Sequence, residues 1–520
     1  MVRLLHYSDI ENVYDDPERA GRLAGLLAEL DGDDALVVGS GDDTAPGVLA
    51  LVARGRQALD FFEAVDAAVE TFGNHDFDFG PDATRELVSD APQTWVGANV
   101  YAEEADPEAV RANAADLRFE ADDSGDAGVP APGAFGAAEG VVPWTVEPVA
   151  GERVGLFGVT DPATDSLNPM AADLAFTDPL VAAERAVDAL RDAGADRVVA
   201  VSHLGNADDD LARVDGVDAV LGGHVHTRRV ETVDGTLCTR PGVNGEAVVE
   251  VDLGAGDAGT DRPATGTLHD LASADAPVDE RLADALRARM RAAGLDRTVG
   301  HAATPIERTQ RTVHGGESRV GNLVADAYRY AADADVGLQN AGGIRLGDPL
   351  VGEVTVADLI SVVPFEEQVV VAELTGAELR EAFRQMSASV VDFGRPGWWH
   401  GHVSGAELVF DDAADELVSA RVGGEPLDDD AVYRVATPEY LLHSDHEFPV
   451  IEERHRAGEC GIQHDALAAY IRAEGLDPRV EGRIRRVNRE RAAGGTADAG
   501  DETADAGGES VDAGDATVDE

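Results

Sequence analysis

The chain has 520 residues, with 101 acidic against 41 basic side chains and a formal net charge of −60. That length exceeds one ordinary core, so two domains with accessory segments are expected. No lysine occurs, every basic residue is arginine, and no basic stripe is present to bind nucleic acid.

Self-repulsion of this size disfavours a compact state in dilute buffer, because exposed charges are screened only over about 8 Å even at physiological ionic strength. The acidity is dispersed over helices, loops and tail, which reads as adaptation to molar intracellular salt in a halophile; the competing reading is an acidic surface for a partner. Cys238 and Cys460 form no CxxC pair and offer neither a disulfide framework nor a zinc knuckle. The start, MVRLLHYSD, runs straight into a strand-like segment, and no stretch approaches a membrane span. The expected setting is cytoplasmic, with no membrane and no protein partner evident.

Up to about Val251, short β-branched runs alternate with amphipathic helical stretches at Pro17 to Leu30, Pro81 to Ala91 and Pro179 to Ala193, the pattern of an α/β domain. An acidic, Ala/Gly-rich insertion from Ala102 to Gly140 reads as a surface excursion. Gly254 to Ala276 reads as a linker and Asp279 to Ala293 as a connecting helix. A second α/β region runs from about Gly300 to Asn488, with strands in DVGLQN, QVVVAEL and YRVAT and helices in GNLVADAYRYAA and GAELREAFRQM. The expected division is therefore 1–253, 254–299, 300–488 and an acidic disordered tail at 489–520.

Within the first region, Asp9, Glu11, Asp42, Asn74, His203, His224 and His226 each stand where an apolar run stops. An open α/β sheet gathers residues so placed at one crevice beyond its strand ends. Carboxylates, imidazoles and an amide carbonyl suit Mn, Zn, Fe or Co rather than thiolate-seeking metals. Asp42 is the natural bridge between two cations, since one carboxylate can hold ions about 3.5 to 4 Å apart. In GHVH, two imidazoles two residues apart on an extended segment are expected to point the same way. A lone Asp-x-Glu or Gly-Asp is usually a turn, and a lone histidine usually core; the ordered combination carries the inference.

The block Asp9-Ile-Glu11, Gly41-Asp42, Gly73-Asn74-His75-Asp76-Phe77-Asp78, His203 and Gly222-Gly223-His224-Val225-His226 resembles the calcineurin-like metallophosphoesterase domain. With its second half, the chain resembles the bifunctional 5'-nucleotidase and UDP-sugar hydrolase family. The resemblance implies a four-layer α/β sandwich followed by a C-terminal α/β nucleotide-binding domain. It implies Asp9, Glu11, Asp42 and His226 around one divalent ion, and Asp42, Asn74, His203 and His224 around a second. It also implies His75 as the transition-state stabiliser, oriented by Asp78; a carboxylate beside an imidazole fixes its tautomer and favours its cation.

One departure stands out: Glu11 occupies the place where the family carries histidine. As a ligand it makes the site one unit less positive and favours Mn²⁺ over Zn²⁺, with Co and Fe as further options; otherwise Asn12 or water fills the position. In the second half, Gly315 to Leu323 resembles the family's helix-opening motif and Asn340-Ala-Gly-Gly-Ile-Arg345 its NGGxR loop, with Gly316 where many members have arginine. Asn340 and Arg345 supply polar recognition, Arg345 as a planar fork. Phe365 and Tyr440 match the base-stacking aromatics, each contact worth roughly 1 to 3 kcal/mol; Trp398 and Trp399 are further aromatics nearby. His446 falls where the family has a ribose-binding aspartate.

The function so implied is hydrolysis of 5'-nucleotides to nucleoside and phosphate by metal-activated water, with a small-molecule nucleotide as partner. Rival readings are a 2',3'-cyclic phosphodiesterase with 3'-nucleotidase activity, a nucleotide-sugar hydrolase, and a non-catalytic nucleotide-binding protein.

Overall fold

The computed structural model describes residues 2–102, 119–122, 124–254, 256–257, 260–261, 263–365, 367–391, 394–395, 397–444 and 446–489. Most of the expected tail, and residues 103–118 of the expected insertion, lie outside the described residues. The chain divides into two compact units, Met1–Ala293 and Gly294–Glu520.

The principal strands of the first unit are β1 (Arg3–Tyr7), β2 (Ala35–Gly39), β3 (Ala67–Thr71), β4 (Thr94–Val96), β5 (Trp144–Val149), β6 (Glu152–Thr160), β7 (Arg197–His203), β8 (Ala219–Gly222), β9 (Arg229–Val233), β10 (Thr236–Arg240), β11 (Ala247–Asp252) and β12 (Thr265–Asp270). They form two six-stranded sheets, in the orders β12-β11-β1-β2-β3-β4 and β9-β10-β8-β7-β6-β5. β1 to β4 run parallel, as do β10, β8, β7 and β6, so their C-terminal ends collect on one side of each sheet. The sheets pack face to face through Leu4, Val38, Val69 and Val96 of one and Leu156, Val199, Val201 and Leu221 of the other, all fully buried. Strands buried on both faces need near-continuous apolar runs, which is what LVVG and RVVAVSH supply.

Helices cover the outer faces. α1 (Pro17–Leu30) opens on Asp16, whose side chain accepts from the N–H groups of Glu18 and Arg19, and Pro17 stands in the first turn where a missing N–H costs nothing. Its buried face, Ala20, Leu23, Ala24 and Leu27, repeats at helical spacing. α2 (Pro81–Asp90) and α3 (Pro179–Asp192) likewise begin on proline. α4 (Glu280–Ala293), the expected connecting helix, packs with α1 inside the first unit. The result is an α/β/β/α sandwich.

The second unit is built around a five-stranded mixed sheet. Val336–Asn340 lies between Gly401–Ser404 and Val432–Pro438, followed by Gln368–Thr375 and Arg456–Ile462. α5 (Arg319–Ala332) opens on Ser318, which accepts from Gly321 N–H, and packs on that sheet. Among the described residues, no helix is long and apolar enough to cross a membrane.

His6 of β1 is fully buried between the hydroxyls of Thr239 and Ser40, both at 2.9 Å. Burial pushes its pKa down to about 3, so the folded protein keeps it neutral while the unfolded chain protonates it near 6.5. The stability due to this group is complete above pH 6.5 and is lost as pH falls toward 3, at about 1.4 kcal/mol per pH unit. Denaturant melts near pH 7 and pH 5 should therefore show the wild type losing about 2 kcal/mol more than His6→Asn on acidification; equal losses would refute the assignment.

Candidate metal centre

Six strand ends of the first unit build the site. β1 leads to Asp9 and Glu11, β2 to Asp42, β3 to Asn74 and His75, β6 to Asp161, β8 to His224 and His226, and His203 is itself the last residue of β7. Two groups of potential ligand atoms result, each mutually within 4.8 Å: Asp42, His203 and His224, and Asp9, Glu11 and His226. His203 Nε2 lies 3.0 Å from Asp42, and His226 Nε2 lies 3.1 Å from Glu11 and 3.8 Å from Asp9. Glu11, the departure from the expected motif, thus takes its place in the second group.

The backbone is bent to achieve this. Asp9, Glu11, Asp42 and His224 all have positive φ, at 50°, 38°, 56° and 71°. Such conformations cost non-glycine residues roughly 1 to 3 kcal/mol each and persist where the surroundings impose them. The turn at His224 also corrects the expectation for GHVH. The segment is not extended, while its two imidazoles stand in separate groups, the division that the family resemblance implies. Gly73 and Gly223 permit the crowding: a Cβ on Gly73 would fall 2.2 Å from Asp42 Oδ1, and one on Gly223 would fall 2.3 Å from Ser8 Oγ.

Asn74 tests whether the residues suit metal ions. Its side-chain oxygen is buried without a hydrogen-bond partner, a costly arrangement for an amide unless a further group takes the lone pair. A divalent cation fits it, and the donors around it are the oxygen and imidazole set suited to Mn²⁺, Zn²⁺ or Fe²⁺. His203 points the same way: its Nδ1 donates to the Ser40 carbonyl at 2.8 Å, turning Nε2 toward Asp42.

Charge is concentrated here. Burial opposes protonation of His203, yet Asp42 and Asp9 outweigh it and hold the pKa up to about 10. Burial likewise penalises the Asp42 carboxylate, but His203 and His75 overcome it and keep Asp42 below the usual carboxylate range. Burial raises Asp9 to about 7, and burial together with the charge of His203 lowers His224 to about 4.

His75 and Asp78 are brought together as expected, with His75 Nδ1 at 3.1 Å from both carboxylate oxygens. Burial works against the imidazolium, and Asp42 and Asp78 prevail, raising it to about 10. The His75 backbone N–H donates to Asp42 Oδ1 at 2.6 Å, tying this residue to the expected bridging carboxylate.

Four residues that sequence reasoning missed hold these parts in place. Asn168 donates to the Asn74 carbonyl at 2.7 Å and to Asp78 at 2.9 Å. Asp76 accepts from the N–H groups of Asp42 and Gly73, at 3.0 and 2.7 Å, and from the Thr44 hydroxyl at 2.6 Å. Asp208 and Arg240 form a buried ion pair at 3.0 Å. Asp208 also accepts from Ser202, the neighbour of His203, at 2.7 Å, and Arg240 donates to the Gly205 carbonyl at 2.6 Å. The available signals were an acid inside GNHD and an Asn-Pro pair; nothing local marked Asp208 or Arg240.

In the second unit, Arg345 stacks over Phe365, with the guanidinium carbon 5.0 Å from the ring centroid. Asn340 ends its strand and donates to Glu447 at 2.6 Å. Tyr440 is 41% exposed, with its hydroxyl accepting from Ser444 at 3.3 Å. His446 is exposed, and its neighbour Glu447 is the buried acid, 3.6 Å from His400. Trp399 is core, edge-on to Phe410, whereas Trp398 stacks on His314 at 4.0 Å.

Residues 298–453 match the family model described as 5'-nucleotidase, C-terminal domain. The chain is 27% identical over 455 residues to the trifunctional nucleotide phosphoesterase protein YfkN of Bacillus subtilis, covering 80% of this chain and 30% of that protein. It therefore spans less than a third of that relative's length. It is 24% identical over 513 residues to human 5'-nucleotidase, covering 87% and 82% of the two chains. The crystal structure of the 5'-nucleotidase precursor from Thermus thermophilus superposes with a TM-score of 0.64 at 24% identity, over 94% of this chain and 99% of that one.

These likenesses define an α/β fold shared with the Thermus thermophilus 5'-nucleotidase precursor, and relatives that are themselves named nucleotide phosphoesterase and 5'-nucleotidase. The second unit of this chain is similar to the 5'-nucleotidase C-terminal domain, and relatives named 5'-nucleotidase match along most of the chain.

Proposed function

We propose that the chain is a dinuclear metal-dependent phosphoesterase that hydrolyses 5'-nucleotides to nucleoside and phosphate. The observation that carries this reading is the convergence of two ligand groups, with the unpartnered Asn74 oxygen and the His75–Asp78 pair beside them, at parallel strand ends. Asp9, Glu11, Asp42 and His226 would hold one divalent ion, and Asp42, Asn74, His203 and His224 the other. Bound there, such ions supply an activated water and neutralise phosphoryl oxygens.

The protein's own part is positional and electrostatic. Asp78, itself held by Asn168, fixes the His75 ring and favours its cationic form, so that His75 donates to an oxygen of the transferring phosphoryl group. Three carboxylates in the ligand set favour Mn²⁺ over Zn²⁺. Asn340, Arg345, Phe365, Tyr440 and His446 are assigned to the nucleoside, and the Arg345–Phe365 stack supports a site for a planar ring. Glu447 joins them through Asn340. The net charge of −60 supports a setting of molar salt inside the cell, and the partner assigned is a small-molecule nucleotide.

Phosphate release from AMP, 2',3'-cyclic AMP and UDP-glucose, each with Mn²⁺ or Zn²⁺ in molar KCl, tests the proposal. AMP with Mn²⁺ should be fastest. Absence of release from AMP would remove the 5'-nucleotidase reading. Faster cleavage of the cyclic or sugar nucleotide would move it to the second reading, which the altered segment Leu442 to Phe448 favours.

A further inference from the structure

We propose that Asp161 is a positioning residue of the metal centre, whose carboxylate faces the Nε2 edge of His224 and so leaves the Nδ1 of that ring for the ion. The inference rests on the reading of the site as a metal centre.

Asp161 directly follows β6 and is fixed on three sides. Its backbone N–H donates to the His203 carbonyl at 3.1 Å, its carbonyl accepts from Thr164 N–H at 3.1 Å, and its Oδ1 accepts from Ala163 N–H at 2.8 Å. Those ties leave Oδ2 to face the ligand, and it lies 3.5 Å from His224 Nε2. The partner is held just as firmly. The His224 backbone N–H donates to Asp9 at 3.0 Å, and its ring stands edge-on to His203 with centroids 5.1 Å apart. The Cδ2 edge of that ring is backed by Gly205, where an added Cβ would lie only 3.1 Å away.

His203 shows the same logic in the same group, with one ring nitrogen tied to a protein oxygen and the other turned to the ligand space. A carboxylate or carbonyl behind a ligating imidazole sets its tautomer and raises its basicity, and its loss typically weakens metal binding 10- to 100-fold. Asp161 lies over forty residues before His203 in the chain, at a strand end of the same sheet; neither ligand motif contains it.

The test is a Mn²⁺ titration of the metal-stripped full chain in molar KCl, followed by calorimetry and by the EPR signal of free Mn²⁺, for wild type, Asp161→Asn and Asp161→Ala. Asparagine keeps the turn to Ala163 and guards against a folding artefact. Two ions should bind to all three proteins, with one of the two sites losing 10- to 100-fold in affinity in Asp161→Ala and less in Asp161→Asn. Long-range ¹H–¹⁵N spectra of the Zn²⁺-loaded wild type should show the proton of His224 on Nε2. Unchanged affinity in Asp161→Ala, or a proton on Nδ1, would overturn the proposal. So would loss of a whole ion from Asp161→Ala, which would make Asp161 a ligand. A wild type that takes up no Mn²⁺ would instead overturn the metal-centre reading.

Discussion

Asp42→Asn should fold normally, lose metal, and turn over substrate on the order of 10³-fold more slowly, a loss of about 4 kcal/mol in transition-state stabilisation. The substitution isolates charge from shape. Asparagine tolerates the left-handed backbone that Asp42 adopts at φ 56°, so it adds no strain. Its side-chain oxygen can still accept from His75 N–H, as Asp42 does at 2.6 Å. What disappears is the negative charge facing His203 and His75, and with it the bridge proposed between two dications. Elemental analysis should find well under two ions per chain, while the melting temperature of the metal-free protein stays within a few degrees. Wild-type turnover with full metal occupancy in this variant would refute the bridging role.

Arg240→Met should destabilise the first unit by about 3 to 5 kcal/mol, the largest effect on stability expected from any single change in the pair. Asp208 is 1% exposed and Arg240 4%, so removing the cation strands a carboxylate with only the Ser202 hydroxyl to answer it. Burial already pushes Asp208 upward against the pull of Arg240, and without Arg240 it must take up a proton or draw in water. The pair joins Ser202 at the end of β7 to the Gly205 turn, and a Cβ on Gly222 would fall 2.2 Å from Asp208 Oδ2. Metal affinity should therefore fall along with stability, although neither residue is a ligand. The double variant Asp208→Leu with Arg240→Met removes both charges and should recover most of the loss in thermal melts. A double variant as unstable as the single one would show that packing rather than charge is at stake.

The site was legible in the sequence to the extent that it is written at strand ends. A parallel sheet requires its functional residues just past apolar runs, so Asp9, Asp42, Asn74, His203 and His226 could be read from VRLLHYSD, ALVVGSGD, AAVETFGNHD, RVVAVSHLG and DAVLGGHVH. The helices were legible where proline and a capping acid announced them, as at Asp16-Pro17 and Asp178-Pro179. Backbone direction within a motif was not. Period-two reasoning made the His224–His226 segment extended, whereas His224 is left-handed at φ 71°. The residues that brace ligands from distant parts of the chain were also illegible. Asp161, Asp208 and Arg240 matter only through what lies across from them, and no local pattern encodes that. Glu447 illustrates the finer limit: counting along the segment arrives at His446, whereas the fold buries its neighbour.

Asp9, Glu11, Asp42 and His224, all in left-handed conformation, set backbone strain and crowded carboxylates against the surrounding fold. Cations relieve that tension in two ways. On the proposed reading, ions captured at the centre would stabilise the fold by mass action, by about 2.7 kcal/mol at a hundredfold excess over the dissociation constant, while bulk salt would screen the acidic exterior. On that reading chelation and dilution would act on one molecule as the same kind of stress, and a chain folding where cations are scarce would forfeit its catalyst and its scaffold together.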